Sequence, residues 1–218
     1  MEALVVASAG PSLDCACCPR LLSFRNANRA LLPDYWNAPV PSFGDPSARL
    51  LVVGLAPGLH GANRTGRPFT GDYAGDLLYS TLLSFGFATG RYGQCCDDGL
   101  QLVDCRISNA VRCVPPENKP LPAETAACRP FLAAEIAAMP RLRAIVALGR
   151  IAHDGTLAAL GRRRSSQPFA HGAMHPLPPG DTVLIDSYHC SRYNTNTGRL
   201  TEAMFHAVFD KVRAVLDP

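Results

Sequence analysis

A short apolar run that ends in a glycine-rich loop constrains the fold of this chain more than any other feature. Residues Leu50 to Val53 are all apolar, which is typical of a strand buried on both faces of a parallel sheet. Glycines and prolines then interrupt the chain, so the backbone of the next loop can lie close to a ligand. Open α/β folds bind ligands where strands end. The pattern of residues 49–72 therefore predicts a strand followed by a ligand-binding loop.

Two other interpretations of this loop are weaker. An ordinary connection is shorter than this one, since most connections in compact domains have only a handful of residues. A phosphate-binding loop would need the G-x-G-x-x-G or the G-x-x-x-x-G-K-[ST] pattern, and neither occurs here.

Strand and helix patterns alternate along the rest of the chain. Further strands are predicted over residues 102–108, 141–148 and 182–185. Helical patterns cover residues 75–87, 150–160 and 201–216, and another helix begins near Ala123. This alternation predicts one three-layer α/β domain, residues 1–218, with a largely parallel sheet.

Composition narrows the functional classes. Hydrophobic residues make up 47% of the 218 residues and charged residues 18%, so extended disorder is not expected. A formal net charge of +3 permits a nucleic-acid partner without demonstrating one. Residues 1–14 lack the basic start of a secretory signal, and no apolar stretch is long enough to cross a bilayer. We therefore expect no membrane association and a cytoplasmic location.

Nine cysteines are informative in a reducing compartment, where they point to metal or redox roles. Cys15 and Cys18 form a C-x-x-C pair, and Cys113 and Cys128 are separated by fourteen residues. Zinc sites usually contain two tight pairs, whereas an iron–sulfur cluster accepts more widely spaced ligands. The spacing thus favours a [4Fe–4S] cluster over zinc, with free buried thiols as the remaining alternative.

Three segments together resemble the uracil-DNA glycosylase superfamily, and most closely its family 5, the type B enzymes. They are GLAPGLHGANRTGRPFTGD at 54–72, NAVRCVPPENKP at 109–120 and SYHCSRYNTNTGRLT at 187–201. Leu55 and Ala56 stand where related enzymes carry a water-positioning residue, a departure that family 5 shares. The resemblance implies an α/β/α sandwich around a central four-stranded, mainly parallel sheet, with a structural [4Fe–4S] cluster on the four cysteines.

The resemblance also implies the chemistry. Asp72 would orient or activate water, with Asp76 as a nearby competitor, and Asn118 would hold that water unless it only forms an Asx turn. His189 would donate a hydrogen bond to the departing base. The implied base-binding residues are Gly54, Ala56, Gly58, Phe69 and Asn109, and the implied DNA-binding residues are His60, Arg64, Arg67 and Arg192.

The expected partner is therefore DNA that contains uracil or another deaminated base such as hypoxanthine, bound by a monomeric enzyme. Asp72 together with His189 favours catalysis over the alternative of a non-catalytic iron–sulfur protein that binds nucleic acid. A third possibility, covalent capture of the abasic sugar, would need a basic insertion that the first motif lacks.

Overall fold

The structure, a computed structural model, describes residues 10–217. In chain order its strands are β1 (Phe43–Gly44), β2 (Leu50–Gly54), β3 (Ala88–Thr89), β4 (Gln101–Leu102), β5 (Cys105–Asn109), β6 (Ala144–Leu148), β7 (Met174–Pro176) and β8 (Val183–Ser187). Its α-helices are α1 (Pro19–Leu31), α2 (Ala62–Thr65), α3 (Tyr73–Ser84), α4 (Pro122–Ala137), α5 (Arg150–Ala159), α6 (Arg192–Asn196) and α7 (Glu202–Leu216).

A six-stranded sheet in the order β1-β5-β2-β6-β8-β7 forms the centre of the described chain. The inner strands β5, β2, β6 and β8 are parallel, which confirms the predicted four-stranded parallel sheet. β1 and β7 add short antiparallel edges that the prediction lacks. Strands of two and three residues are too short to show an alternating pattern in the sequence.

The sheet is covered by helices on both faces, as a three-layer α/β/α sandwich requires. Side chains alternate along β2, so Leu50 and Val52 face the core beneath α3 and α7. Leu51 and Val53 face the opposite core, where α4 and α5 pack. Burial of β2 on both faces therefore explains its uninterrupted apolar sequence.

The ends of the parallel strands position the candidate site. β2 ends at Gly54, which pairs with Asn109 at the end of β5, and β8 ends two residues before His189. The predicted second strand is interrupted at Asp104, whose φ of +50° separates β4 from β5. The Asp104 carboxylate instead accepts a hydrogen bond from the backbone N–H of Arg49, which aligns the start of β2.

Among residues 10–217, no helix combines the length and the apolar character that crossing a bilayer demands. The expectation about a missing secretory signal concerns residues 1–14, of which residues 1–9 lie outside the described part of the chain.

Candidate active site

A cavity of about 720 Å³ opens at the carboxyl ends of β2, β5 and β8. Most of the predicted functional residues form its wall: Asp72, Asn118, His189, Ala56, Gly58, Phe69, Asn109, His60 and Arg192. Gly54 lies directly behind this wall, since a Cβ there would overlap Asn109 Oδ1 and the Phe69 ring. Ala56 and Arg192, which are 136 positions apart in the sequence, thus share one cavity because parallel strands end at the same edge.

Asp72 caps the N-terminus of α3 and also faces the cavity. Its Oδ1 accepts a hydrogen bond from the backbone N–H of Gly75 at 3.3 Å. Its Oδ2 is directed towards the first loop, where a Cβ on Gly61 would overlap it. Burial raises the pKa of Asp72, although backbone hydrogen bonds at the start of α3 act in the opposite direction. A carboxylate with a raised pKa is a better proton acceptor near neutral pH.

Asn118 approaches the same region from the proline-rich loop. It has a left-handed backbone with φ of +56°, and its side chain makes no hydrogen bond to any other described residue, so no Asx turn forms. The carboxylate of Asp72 and the amide of Asn118 approach the same point: a Cβ added to Gly58 would lie 3.1 Å from Asp72 Oδ2 and 4.0 Å from Asn118 Oδ1. Because Gly58 has no side chain, the space between the carboxylate and the amide remains open to a small molecule such as water.

His189 lies on the loop that follows β8. Burial lowers the pKa of His189 to about 4, so its imidazole is neutral at physiological pH. The carbonyl of His189 accepts a hydrogen bond from Asn194 Nδ2 at 2.8 Å. The next residue, Cys190, is fully buried, and its thiol donates to the Ala74 carbonyl in the first turn of α3. This contact ties the His189 loop to the helix that Asp72 caps.

Phe69 and Asn109 form the inner wall of the cavity. The Phe69 ring lies almost parallel to the His189 ring, with centroids 6.0 Å apart and an angle of 29°. Asn109 is 3% exposed, and its Oδ1 has no hydrogen-bond partner among the described residues. An unpaired buried acceptor costs about 1–3 kcal/mol, so a ligand that donates to Asn109 would remove that penalty.

A family model for the uracil DNA glycosylase superfamily matches residues 41–213. The chain belongs to this superfamily. The type-5 uracil-DNA glycosylase of Thermus thermophilus is 50% identical over 196 residues, which cover 88% of this chain and 89% of the relative. The type-5 enzyme of Mycobacterium tuberculosis is 42% identical over 91% of this chain and 77% of its own length. A type-4 enzyme of Pyrobaculum aerophilum is 34% identical over 64% of this chain and 63% of its own length. The resemblance to family 5 is confirmed.

The predicted DNA-binding arginines of this superfamily member differ in their surroundings. Arg64 and Arg192 are exposed, and Arg192 lies at the cavity rim with its guanidinium 5.4 Å from the Tyr73 ring centroid. Arg67 is only 5% exposed and makes two hydrogen bonds to Asp98, at 2.8 and 2.7 Å. The expectation that Arg67 binds DNA is therefore wrong, because its guanidinium is buried and already neutralised.

The four cysteines predicted as ligands also come together. Cys18 precedes α1, Cys113 follows β5 and Cys128 lies on α4, and with Cys15 they line one small cavity. Arg25 is 2% exposed, has no carboxylate partner among the described residues and leaves its Nε without a hydrogen bond. Its Nη1 lies 3.8 Å from Cys113 Sγ. A buried cation needs a counter-charge, so thiolates that hold an anionic cluster fit this environment.

The sequence does not single out two tyrosines that lie next to segments lining the cavity. Tyr193 is 72% exposed and follows Arg192 at the rim, so its place next to the predicted arginine is the only sequence signal. Tyr92 lies in a polar turn and contacts the backbone on either side of Thr70. No local pattern indicates that contact, because the two segments are 20 or more residues apart.

Proposed function

We propose that this chain is a monofunctional uracil-DNA glycosylase, which hydrolyses the bond between uracil and deoxyribose and leaves an abasic site in DNA. The observation that carries the proposal is that Asp72, Asn118, Phe69, Asn109 and His189 all line one cavity. The superfamily model and the type-5 relatives support the same reaction. Neither favours the alternative of a non-catalytic binding protein.

The base would be flipped out of the helix into the cavity, as enzymes that act on a buried base require. Phe69 provides an aromatic face for it, and the unpaired Asn109 Oδ1 accepts the N–H of its Watson–Crick edge. The cavity, at about 720 Å³, also has room for hypoxanthine. We therefore include other deaminated bases among the proposed substrates.

Bond cleavage places positive charge on the sugar and negative charge on the base, as in glycoside hydrolysis. Neutral His189 donates a hydrogen bond to the developing base anion, which avoids the cost of burying a charged imidazole. Asp72 stabilises the sugar cation and, with Asn118, holds the attacking water beside Gly58. The water adds to the sugar carbon, its proton passes to Asp72, and the base leaves with the bonding electrons.

DNA would be held along the rim. Arg64 and Arg192 supply exposed positive charge for phosphates, and His60 lies beside them with Nδ1 3.1 Å from the Tyr35 hydroxyl. A second cleft of about 450 Å³ shares Leu55 and His189 with the base cavity. It contains Arg150 and Arg199, which stack on the aromatic rings Phe169 and Tyr188. Arginine beside aromatic rings suits a nucleic-acid strand.

We further propose that Cys15, Cys18, Cys113 and Cys128 hold a [4Fe–4S] cluster with a structural role. Such a cluster would tie α1, α4 and the end of β5 together, and its negative charge would pair with Arg25. Anaerobically purified protein should be brown and contain iron and sulfide. Stoichiometric zinc without iron would contradict the assignment.

The catalytic proposal is tested with a labelled uracil-containing oligonucleotide treated with protein and then alkali. Asp72→Asn should reduce excision by about 10²–10⁴-fold while retaining the helix cap, because asparagine caps as well as aspartate does. His189→Ala should likewise lower excision more than DNA affinity. The matched control is Asp76→Asn, which changes another carboxylate on α3. The Asp76 carboxylate accepts a hydrogen bond from Gln94 and does not face the cavity. Equal activity of all three variants would refute the assigned roles.

A further inference from the structure

Phe69 has an unusual backbone for an aromatic residue. Its φ of +53° lies in the left-handed region, which residues with large side chains adopt only when their surroundings hold them there. The Phe69 ring forms part of the base cavity, so this backbone conformation determines where the ring lies. The groups that hold the Phe69 peptide therefore also hold its ring in the cavity wall.

Tyr92 is one of these groups. Its hydroxyl donates a hydrogen bond to the Phe69 carbonyl at 3.2 Å and accepts one from the Gly71 backbone N–H at 3.3 Å. The Phe69 carbonyl and the Tyr92 hydroxyl both lie so close to Gly75 that a Cβ there would overlap each of them. The turn after Phe69 is thus held where the phenol and the first turn of α3 meet.

Tyr92 is itself held firmly. Its ring stacks on Tyr79 with centroids 4.5 Å apart, and its loop is fixed by Asp98, which accepts hydrogen bonds from Gly93 and Leu100. The same Asp98 forms the buried ion pair with Arg67, two residues before Phe69. The ion pair of Arg67 and Asp98 therefore connects the Tyr92 loop to the Phe69 loop, so the role of the buried arginine is structural.

We infer that Tyr92 is a positioning residue that sets the place of the Phe69 ring in the base cavity and thereby contributes to uracil recognition. This inference rests on the proposed function. Tyr92 is not part of the cavity wall, so its effect must pass through Phe69 and the adjoining turn.

The test compares Tyr92→Phe with Thr81→Val. Each removes one hydroxyl that donates to a backbone carbonyl, but buried Thr81 donates to Leu77 within α3 at 2.8 Å and does not contact the Phe69 turn. Tyr92→Phe should lower single-turnover uracil excision on the order of tenfold and weaken inhibition by free uracil similarly, because the hydroxyl's hydrogen bonds to the Phe69 carbonyl and the Gly71 N–H are both lost. Affinity for a duplex with an abasic-site analogue should not change. Thr81→Val should leave uracil excision and inhibition by free uracil unchanged.

A double-mutant cycle separates positioning from a general structural role. In a Phe69→Ala background, Tyr92→Phe should cause no further loss of excision, because the ring that it positions is gone. Additive losses, or full excision by Tyr92→Phe alone, would overturn the inference. Failure of the wild-type protein to excise uracil would instead overturn the proposed function, so the two failures are distinguishable.

Discussion

Gly58→Ala tests where the attacking water lies. Gly58 has no side chain, and the methyl carbon of alanine would lie 3.1 Å from Asp72 Oδ2 and 4.0 Å from Asn118 Oδ1. The methyl group would therefore occupy the space in which we place the water. Its contact with Asp72 is tight but does not overlap, and Gly58 is not among the glycines with positive φ. The fold should accept the change.

The expected loss follows from geometry. A methyl group in this space would displace the water by about 1 Å, and a displacement of that size costs roughly 10²-fold in rate. That factor corresponds to about 2.7 kcal/mol of activation free energy. The free energy of unfolding should change by less than about 1 kcal/mol, because alanine restricts the unfolded chain at a position it can adopt.

The assay is single-turnover excision of uracil from a labelled duplex, with thermal unfolding and binding of an abasic-site duplex measured in parallel. Gly180→Ala is the matched control, because no other heavy atom lies within 4 Å of its added Cβ and its φ is not positive. An excision rate for Gly58→Ala that equals the control would show that water does not attack from this space. A large loss of inhibition by free uracil at an unchanged chemical rate would place the base there instead.

Three further predictions concern charged and titratable side chains. Arg67→Met should destabilise the fold by about 3–5 kcal/mol, because it leaves the Asp98 carboxylate, whose side chain is 3% exposed, without its counter-charge, but it should not alter the salt dependence of DNA binding. Arg192→Met should instead reduce the slope of log affinity against log salt concentration by about one. If Arg67→Met reduced that slope and left stability in denaturant titrations unchanged, Arg67 would be a DNA contact. Arg25→Met should speed the loss of visible absorbance when a chelator is added, whereas Arg129→Met, which changes an exposed arginine on α4, should not. Equal rates of loss for the two variants would show that Arg25 does not stabilise the cluster. Burial alone would lower the pKa of His153, but the hydrogen bond and charge of Asp186 outweigh it and raise that pKa. The stability that the His153–Asp186 interaction contributes should be complete below about pH 6.5 and should fall as pH rises through the raised pKa of His153. The melting temperature of His153→Gln should not show this fall with pH. A fall as steep as that of the wild-type protein would contradict the prediction.

The parallel sheet and the location of the cavity were predictable from local sequence. The apolar run at Leu50 to Val53 predicts a strand buried on both faces, and strands of one parallel sheet end at the same edge. The loops after these strands contain Asp72 and Asn118, and His189 follows the last one, so their convergence was predictable as well. The motifs were also specific enough to identify the superfamily.

Arg64 and Arg67 illustrate what local sequence cannot decide. They lie three residues apart in one glycine-rich loop, yet Arg64 is exposed and Arg67 is buried against Asp98, 31 residues later. Tyr92 likewise contacts the Phe69 turn from a segment whose sequence predicts only a polar turn. Local sequence determined which segments form the inner parallel strands and the loops that follow them, because those preferences depend on neighbouring residues. Only the tertiary structure decided which arginine is buried and which tyrosine supports the cavity, because those outcomes depend on partners that folding brings together from distant segments.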